Sequence, residues 1–305
     1  MIAFVFPGQG SQHAGMGKDL ADNFKVAKEL FEEANDALGF DIASLCFNGP
    51  EEDLKLTTNT QPAILTTSIA ALKVVEQETG LQPSYAAGHS LGEYSALVCA
   101  GAMQFDDAVR TVRQRGAFMQ EAVPVGVGAM AAIIGLDTDA LNAVCEEAAA
   151  GEVVSPANFN SPGQVVIAGH ASAVERAITL AKEKGAKRAL PLPVSAPFHC
   201  SLMVPAGERL NEVLSGVSFS EMKVPVVSNV EATANNDHNR LQQLLVAQVS
   251  APVRWDESVA CMVAAGVDKF VEIGAGKVLS GLVKRIERSV STANIEDSAS
   301  LAKLS

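Results

Sequence analysis

The chain opens on an unbroken apolar run, Ile2 to Phe6, that stops at Pro7-Gly8-Gln9-Gly10. Continuous apolarity without alternation marks a buried strand, and the Pro-Gly pair ends it. The roughly 75 residues that follow read as mostly helical. The strongest of these helices is expected to open at Gln61-Pro62, where proline suits the first helical position, and to run through Ile64, Leu65, Ile69, Leu72 and Val75. Ser84 to Gly88 reads as a short strand of small residues with Ser90 at its end, and Leu91 to Ala100 resumes a helical pattern. Another helix is expected over Phe105 to Ala122.

From Val125 the pattern changes. Ala129 to Leu136 reads as a strand, Thr138 to Ala149 as a helix, Val153 to Asn158 and Gln164 to Ala168 as a strand pair, Ala171 to Lys184 as a helix and Arg188 to Leu192 as a strand. This β-α-β-β-α-β order is that of a ferredoxin-like unit. After it come a helix over 203–215, a strand from Val224 to Ser228, a polar loop from Asn235 to Asn239, helices near 241–250 and 255–265, a strand from Lys269 to Ile273 and a helix over 277–288. Residues 289–305, rich in Ser and Ala, read as a weakly held tail. The fold class expected is therefore α/β. An α/β-hydrolase-like parallel-sheet core over 1–123 and 197–305 would carry an inserted small ferredoxin-like subdomain over 124–196.

Composition narrows the function classes. The 305 residues are 48% hydrophobic and 19% charged, enough to bury a sizeable core. No segment approaches the roughly 18 to 20 apolar residues that span a bilayer, and the short N-terminal run lacks the basic leader of an export signal. A net charge of -12 argues against binding nucleic acid or an anionic membrane. Five cysteines, odd in number and without a Cys-x-x-Cys pair, fit neither a disulfide framework nor a zinc site, so a reducing, cytoplasmic setting without a bound metal is expected.

Candidate chemistry centres on Ser90 in Gly88-His89-Ser90-Leu91-Gly92. A serine on a sharp strand-to-helix turn needs small residues two positions either side, and the turn places it at a helix start, where the Leu91 N–H can stabilise developing negative charge. The other glycine-rich loop fails as a phosphate site: a dinucleotide fingerprint needs glycine where His13 stands, and a P-loop needs Ser or Thr where Asp19 stands. Gln9 reads instead as a polar side chain at the carboxyl end of a sheet, where open α/β folds bind ligands. On the Phe105 helix, Arg115 falls on the face of Phe105, Ala108, Val112, Gly116 and Met119, whereas Arg110 and Arg113 read as solvated. A guanidinium aimed at a core must meet an anion, either an internal carboxylate or a substrate's. Of five histidines, His199 follows Pro197-Phe198 where the chain returns to the main sheet, and can overhang a cleft as general base. Cys200 beside it reads as a packing residue.

Taken in order, Phe6-Pro7-Gly8-Gln9-Gly10-Ser11-Gln12, Gly88-His89-Ser90-Leu91-Gly92-Glu93, Arg113-Gln114-Arg115-Gly116 and Pro197-Phe198-His199 resemble the malonyl-coenzyme A:acyl carrier protein transacylases of bacterial fatty-acid synthesis. Asn158 to Gln164 and Gly276-Lys277-Val278-Leu279 are similar to the same family, and the resemblance covers nearly the whole chain. It implies that Ser90 is the nucleophile, that His199 takes and returns its proton, and that Gln9 and the Leu91 N–H form the oxyanion hole. It further implies that Arg115 clamps the malonyl carboxylate, with Met119 and Phe198 also binding substrate, and that the backbone carbonyl of Gln248 orients His199. The cycle implied is ping-pong, from malonyl-CoA to the phosphopantetheine thiol of acyl carrier protein, without a cofactor and by a monomer. Some bacterial relatives carry a small residue where Phe198 stands, and its ring would favour malonyl over methylmalonyl groups.

Three other readings remain. A serine esterase or thioesterase of the α/β-hydrolase class shares Gly-x-Ser-x-Gly, but builds several strands before its elbow and has no use for Arg115. A stand-alone acyltransferase of a polyketide pathway shares all the motifs. A non-catalytic acyl-binding protein would not need Ser90, His199 and Arg115 together.

Overall fold

Side chains alternate along a strand, so the run Ile2–Phe6 feeds two cores at once. Phe4 and Phe6 pack with Ile64, Leu65 and Leu97, while Ala3 and Val5 pack with Trp255, Val259 and Val283 on the opposite face. All four are fully buried, which is why the sequence shows no polar alternation there. In the computed structural model, residues 1–194 and 196–304 are described. Ser195, on the return segment before His199, and Ser305, in the expected tail, lie outside them.

Among the described residues the strands are β1 (Ile2–Phe6), β2 (Tyr85–Gly88), β3 (Gly128–Ile134), β4 (Val154–Ser161), β5 (Gln164–His170), β6 (Arg188–Pro191), β7 (Val226–Val227), β8 (Ala234–Asn235), β9 (Val253–Arg254), β10 (Lys269–Ile273) and β11 (Ser291–Ile295). They form two sheets, ordered β11-β10-β1-β2-β7-β8 and β6-β3-β5-β4-β9. The first is parallel from β11 through β7, with β8 antiparallel at its edge. The second is antiparallel except where β9 runs parallel to β4. Its own core joins Ile133 and Ile167 to Leu141, Val144, Val174 and Ala177 of helices Thr138–Ala149 and Ala171–Glu183. The fold is thus mixed α/β with a parallel sheet. No helix among the described residues is long and apolar enough to cross a membrane.

Three expectations change. The long helix runs Thr57–Thr79 and begins before Gln61, with Pro62 inside it. Its first turn is closed upstream, where the Leu56 carbonyl accepts from the Asn59 and Thr60 N–H groups at 2.7 and 2.8 Å. Proline then removes only the bond that would have reached the Thr58 carbonyl. The expected tail is instead β11 and a short helix: β11 pairs with the free edge of β10, Ile295 is fully buried, and Asp297 and Ser300 form a capping box. The polar stretch at Asn235 begins as strand β8, which closes the other edge of the sheet.

Cys46, Cys99, Cys145, Cys200 and Cys261 are all free thiols. The buried carboxyl of Glu272, on β10, caps a helix, accepting from the Leu279 and Ser280 N–H groups at 2.9 and 2.7 Å.

Candidate active site

The loops leaving β1 and β2 meet at the carboxyl end of the first sheet. Ser90 sits between them in a left-handed conformation, φ 52°, a strain that persists only where its surroundings impose it. The flanking glycines are sterically required. A Cβ on Gly88 would lie 1.9 Å from the Gly92 carbonyl, and one on Gly92 would lie 2.1 Å from the Phe6 oxygen.

His199 also has a positive φ, 61°, and its Nε2 accepts from Ser90 Oγ at 2.7 Å. Its Nδ1 lies 2.8 Å from the Gln248 carbonyl oxygen. A carbonyl only accepts, so Nδ1 carries the proton and Nε2 is left as the base. That carbonyl is free for a reason legible in the chain. In helix Leu241–Ser250 it would pair with the N–H of residue 252, and Pro252 has none. Burial, and then the nearby Arg115, push the His199 pKa from 6.5 down to about 3. The imidazole is therefore neutral and able to accept a proton.

Arg115 is 2% exposed on helix Phe105–Glu121. Its Nη1 donates to Gln61 Oε1 at 2.8 Å, and its Nη2 to Gln248 Oε1 at 2.9 Å and to Ser90 Oγ at 3.2 Å. These partners are neutral. Among the described residues no carboxylate stands within ion-pairing distance of Arg115, so of the two anions its helix position left open, the internal one is not in contact. Arg110 pairs with Asp106 at 2.9 Å as a surface charge should. Arg113 differs from expectation: it is half-buried, with its guanidinium stacked 4.1 Å from the Phe40 ring centre. The planar, weakly hydrated group covers an aromatic face rather than extending into water.

Two donors face the cleft beside Ser90. The Ser90 N–H is taken by Asn229 Oδ1 at 2.7 Å, whereas the Leu91 N–H has no protein acceptor among the described residues. Gln9 lines the same cleft, with its amide donating to Thr57 Oγ1 at 3.3 Å. Met119, Met130, Asn158 and Phe198 complete the walls, so both sheets contribute to one site. His89 turns away from Ser90 to Asn160 Oδ1, 2.8 Å from its Nε2. His13, His170 and His238 do not line this cleft. Cys200 donates to the Pro197 carbonyl at 3.2 Å, and burial pushes its thiol up to about 11.

Sequence reading missed Gln61, Asn229 and the side chain of Gln248. Gln61 could have been found as a long polar residue at the head of the apolar run Pro62 to Leu65. Asn229 follows a two-residue strand and carries no such signal.

A serine hydroxyl bonded to a carbonyl-oriented histidine, beside the free Leu91 N–H and the Gln9 amide, can take up an acyl group and pass it on. The chain belongs to the acyl transferase domain family, whose model matches residues 3–305. It is 54% identical over 301 residues to the malonyl CoA-acyl carrier protein transacylase of Escherichia coli K12, covering 99% of this chain and 97% of that one. The protein of the same description from Bacillus subtilis is 54% identical over 297 residues, covering 97% and 93%. Among solved structures, an acyl carrier protein S-malonyltransferase from Vibrio cholerae superposes with a TM-score of 0.98 at 52% identity, covering 100% of this chain and 99% of that one. A malonyl-transacylase in complex with its type II PKS acyl-carrier protein superposes with a TM-score of 0.97 at 52% identity, covering 99% and 98%.

Proposed function

We propose that this chain transfers a malonyl group from coenzyme A to the phosphopantetheine thiol of acyl carrier protein, through a malonyl ester on Ser90, in fatty-acid biosynthesis. The observation that carries this reading is Arg115: a buried guanidinium bonded only to neutral oxygens, 3.2 Å from Ser90 Oγ. It supplies the charge that a free carboxylate on the acyl group requires. The names of the relatives and the carrier complex of the structural neighbour support the same substrate and acceptor.

In the first half-reaction Ser90 Oγ attacks the thioester carbonyl while His199 Nε2 takes its proton. The oxyanion is held by the Leu91 N–H and the Gln9 amide. Collapse breaks the carbon–sulfur bond, and the imidazolium returns the proton to the leaving thiolate as free coenzyme A. In the second half the carrier thiol gives its proton to His199 and attacks the malonyl ester. Collapse then releases Ser90 Oγ, which recovers the proton. No cofactor enters either half.

In fold terms we read residues 1–123 and 197–305 as an α/β-hydrolase-like subdomain and 124–196 as a ferredoxin-like one. The order β6-β3-β5-β4 with a helix after β3 and another after β5 supports the second assignment. We read the protein as cytoplasmic, in keeping with its free thiols, and as a monomer. Phe198, in the cleft wall, narrows the space for an α-substituent. Phe198→Ala should lower the malonyl-to-methylmalonyl ratio of kcat/KM by roughly 10-fold, as a pocket that discriminates by one methyl group allows. An unchanged ratio removes Phe198 from selectivity.

The test of the function is intact-mass analysis after brief exposure to malonyl-CoA, with peptide mapping. The expected result is a malonyl ester on Ser90 that is discharged only when carrier protein bearing phosphopantetheine is added, giving malonyl-carrier. Free malonate without a persistent adduct would assign the chain to the hydrolases.

A further inference from the structure

Glu93 is the buried carboxyl beside the site that the reaction leaves unused. It stands in the first turn of helix Gly92–Cys99, directly after the elbow, and is 3% exposed. Its Oε2 accepts from Gln248 Nε2 at 2.7 Å and from the Asn229 N–H at 3.1 Å. Each partner holds part of the site. Asn229 grips the elbow on both sides of its bend, taking the Ser90 N–H and donating to the Gly88 carbonyl, both at 2.7 Å. Gln248 presents its backbone carbonyl to His199 and its side-chain Oε1 to Arg115.

A primary amide has a donor half and an acceptor half, and nothing in its shape decides which way it faces. Here the neighbours decide. Arg115 can only donate, whereas the Glu93 oxygen and the Ser90 backbone carbonyl, which both meet the amide nitrogen at 2.7 and 2.9 Å, accept. With Nε2 towards Glu93 and Oε1 towards Arg115, both contacts are bonds. Reversed, an NH2 group would face the guanidinium and two oxygens would face each other. Both bonds to Glu93 fall on Oε2, so a proton on its other oxygen leaves them in place. Burial pushes this carboxyl up to about 7 against the pull of Gln248, Asn229 and Arg115, and the amide keeps its direction on either side of that value.

We propose that Glu93 is a positioning residue for acyl-group selection: together with the Ser90 carbonyl it holds the direction of the Gln248 amide, and through it the orientation in which Arg115 meets an acyl carboxylate beside Ser90. The inference rests on the reading of Arg115 as the carboxylate clamp. Glu93 itself bonds neither Ser90 Oγ nor Arg115.

The experiment compares formation of the acyl-enzyme from malonyl-CoA and from acetyl-CoA, which lacks the carboxylate, in the parent and in folded Glu93→Met. Losing the acceptor should lower the malonyl-to-acetyl rate ratio at least 10-fold, because only the charged acyl group depends on how Arg115 is turned. Gln248→Met keeps the backbone carbonyl that holds His199 and should lower the ratio equally. The double variant should fall no further than Gln248→Met, since without the Gln248 amide Glu93 has nothing left to direct. If Glu93→Met does not fold, Glu93→Ala is measured in its place. Equal losses for the two thioesters, leaving the ratio within twofold of the parent, would mean that Glu93 only supports the fold and would overturn the proposal. A parent that forms no malonyl-serine would instead defeat the acyl-transfer reading on which it rests.

Discussion

Arg115→Ala is expected to lower kcat/KM for malonyl-CoA by about 1000-fold while sparing transfer of an uncharged acetyl group. Truncating one partner of a buried, hydrogen-bonded charge pair costs about 2 to 5 kcal/mol, and about 1.4 kcal/mol is a factor of ten. In the proposed substrate complex that pair would be the guanidinium and the malonyl carboxylate. Acetyl has no charge to leave unpaired, and its transfer draws only on Ser90, His199 and the oxyanion donors. Acyl-enzyme formation from the two thioesters, measured side by side, checks this. A proportional loss of both would make Arg115 a structural residue of the Gln61–Gln248 network.

His199→Ala should slow acyl-enzyme formation by about 10²- to 10⁴-fold, the range of a positioned general base. The parent should show an unusual pH profile. Burial and Arg115 both disfavour the imidazolium, so the pKa moves down, from 6.5 to about 3. The neutral base therefore persists as pH falls through the ordinary histidine range. Single-turnover malonylation should stay flat from pH 8 to about 5, where an unperturbed histidine would already have lost most of its basic form. In Arg115→Ala the cause second to burial is removed, leaving burial and the smaller effect of His89, and with an acetyl donor the acid limb should move towards higher pH. An acid limb near 6.5 in the parent would mean that His199 is solvated in the working enzyme.

Much of this was legible in the chain because it is local. The elbow needs Gly88 and Gly92 for steric reasons that five residues express, and the buried face of a helix identifies Arg115 by periodicity alone. The second sheet follows from alternating elements of ordinary length. What escaped was non-local. The strand β11 has little apolar weight of its own and forms because β10 offers an unpaired edge. The helix start at Thr57 depends on a turn closed by Leu56, and the proline inside it pointed the other way. Gln248 was placed through its backbone carbonyl, yet its side chain, which joins Glu93 to Arg115, emerges only when residues 93, 115 and 248 are seen together.

The pairing of β4 with β9, Asn158 opposite Val253 and Phe159 opposite Arg254, has a consequence for how the molecule can be taken apart. Residues 124–196, read above as an inserted subdomain, carry a sheet that is completed by a strand they do not encode. Excised, the segment would expose the β4 edge as a row of unpaired N–H and C=O groups, an invitation to self-association. In the whole protein that edge waits for residues synthesised much later. The second sheet is therefore completed by a strand that follows β7 and β8 of the first in the chain.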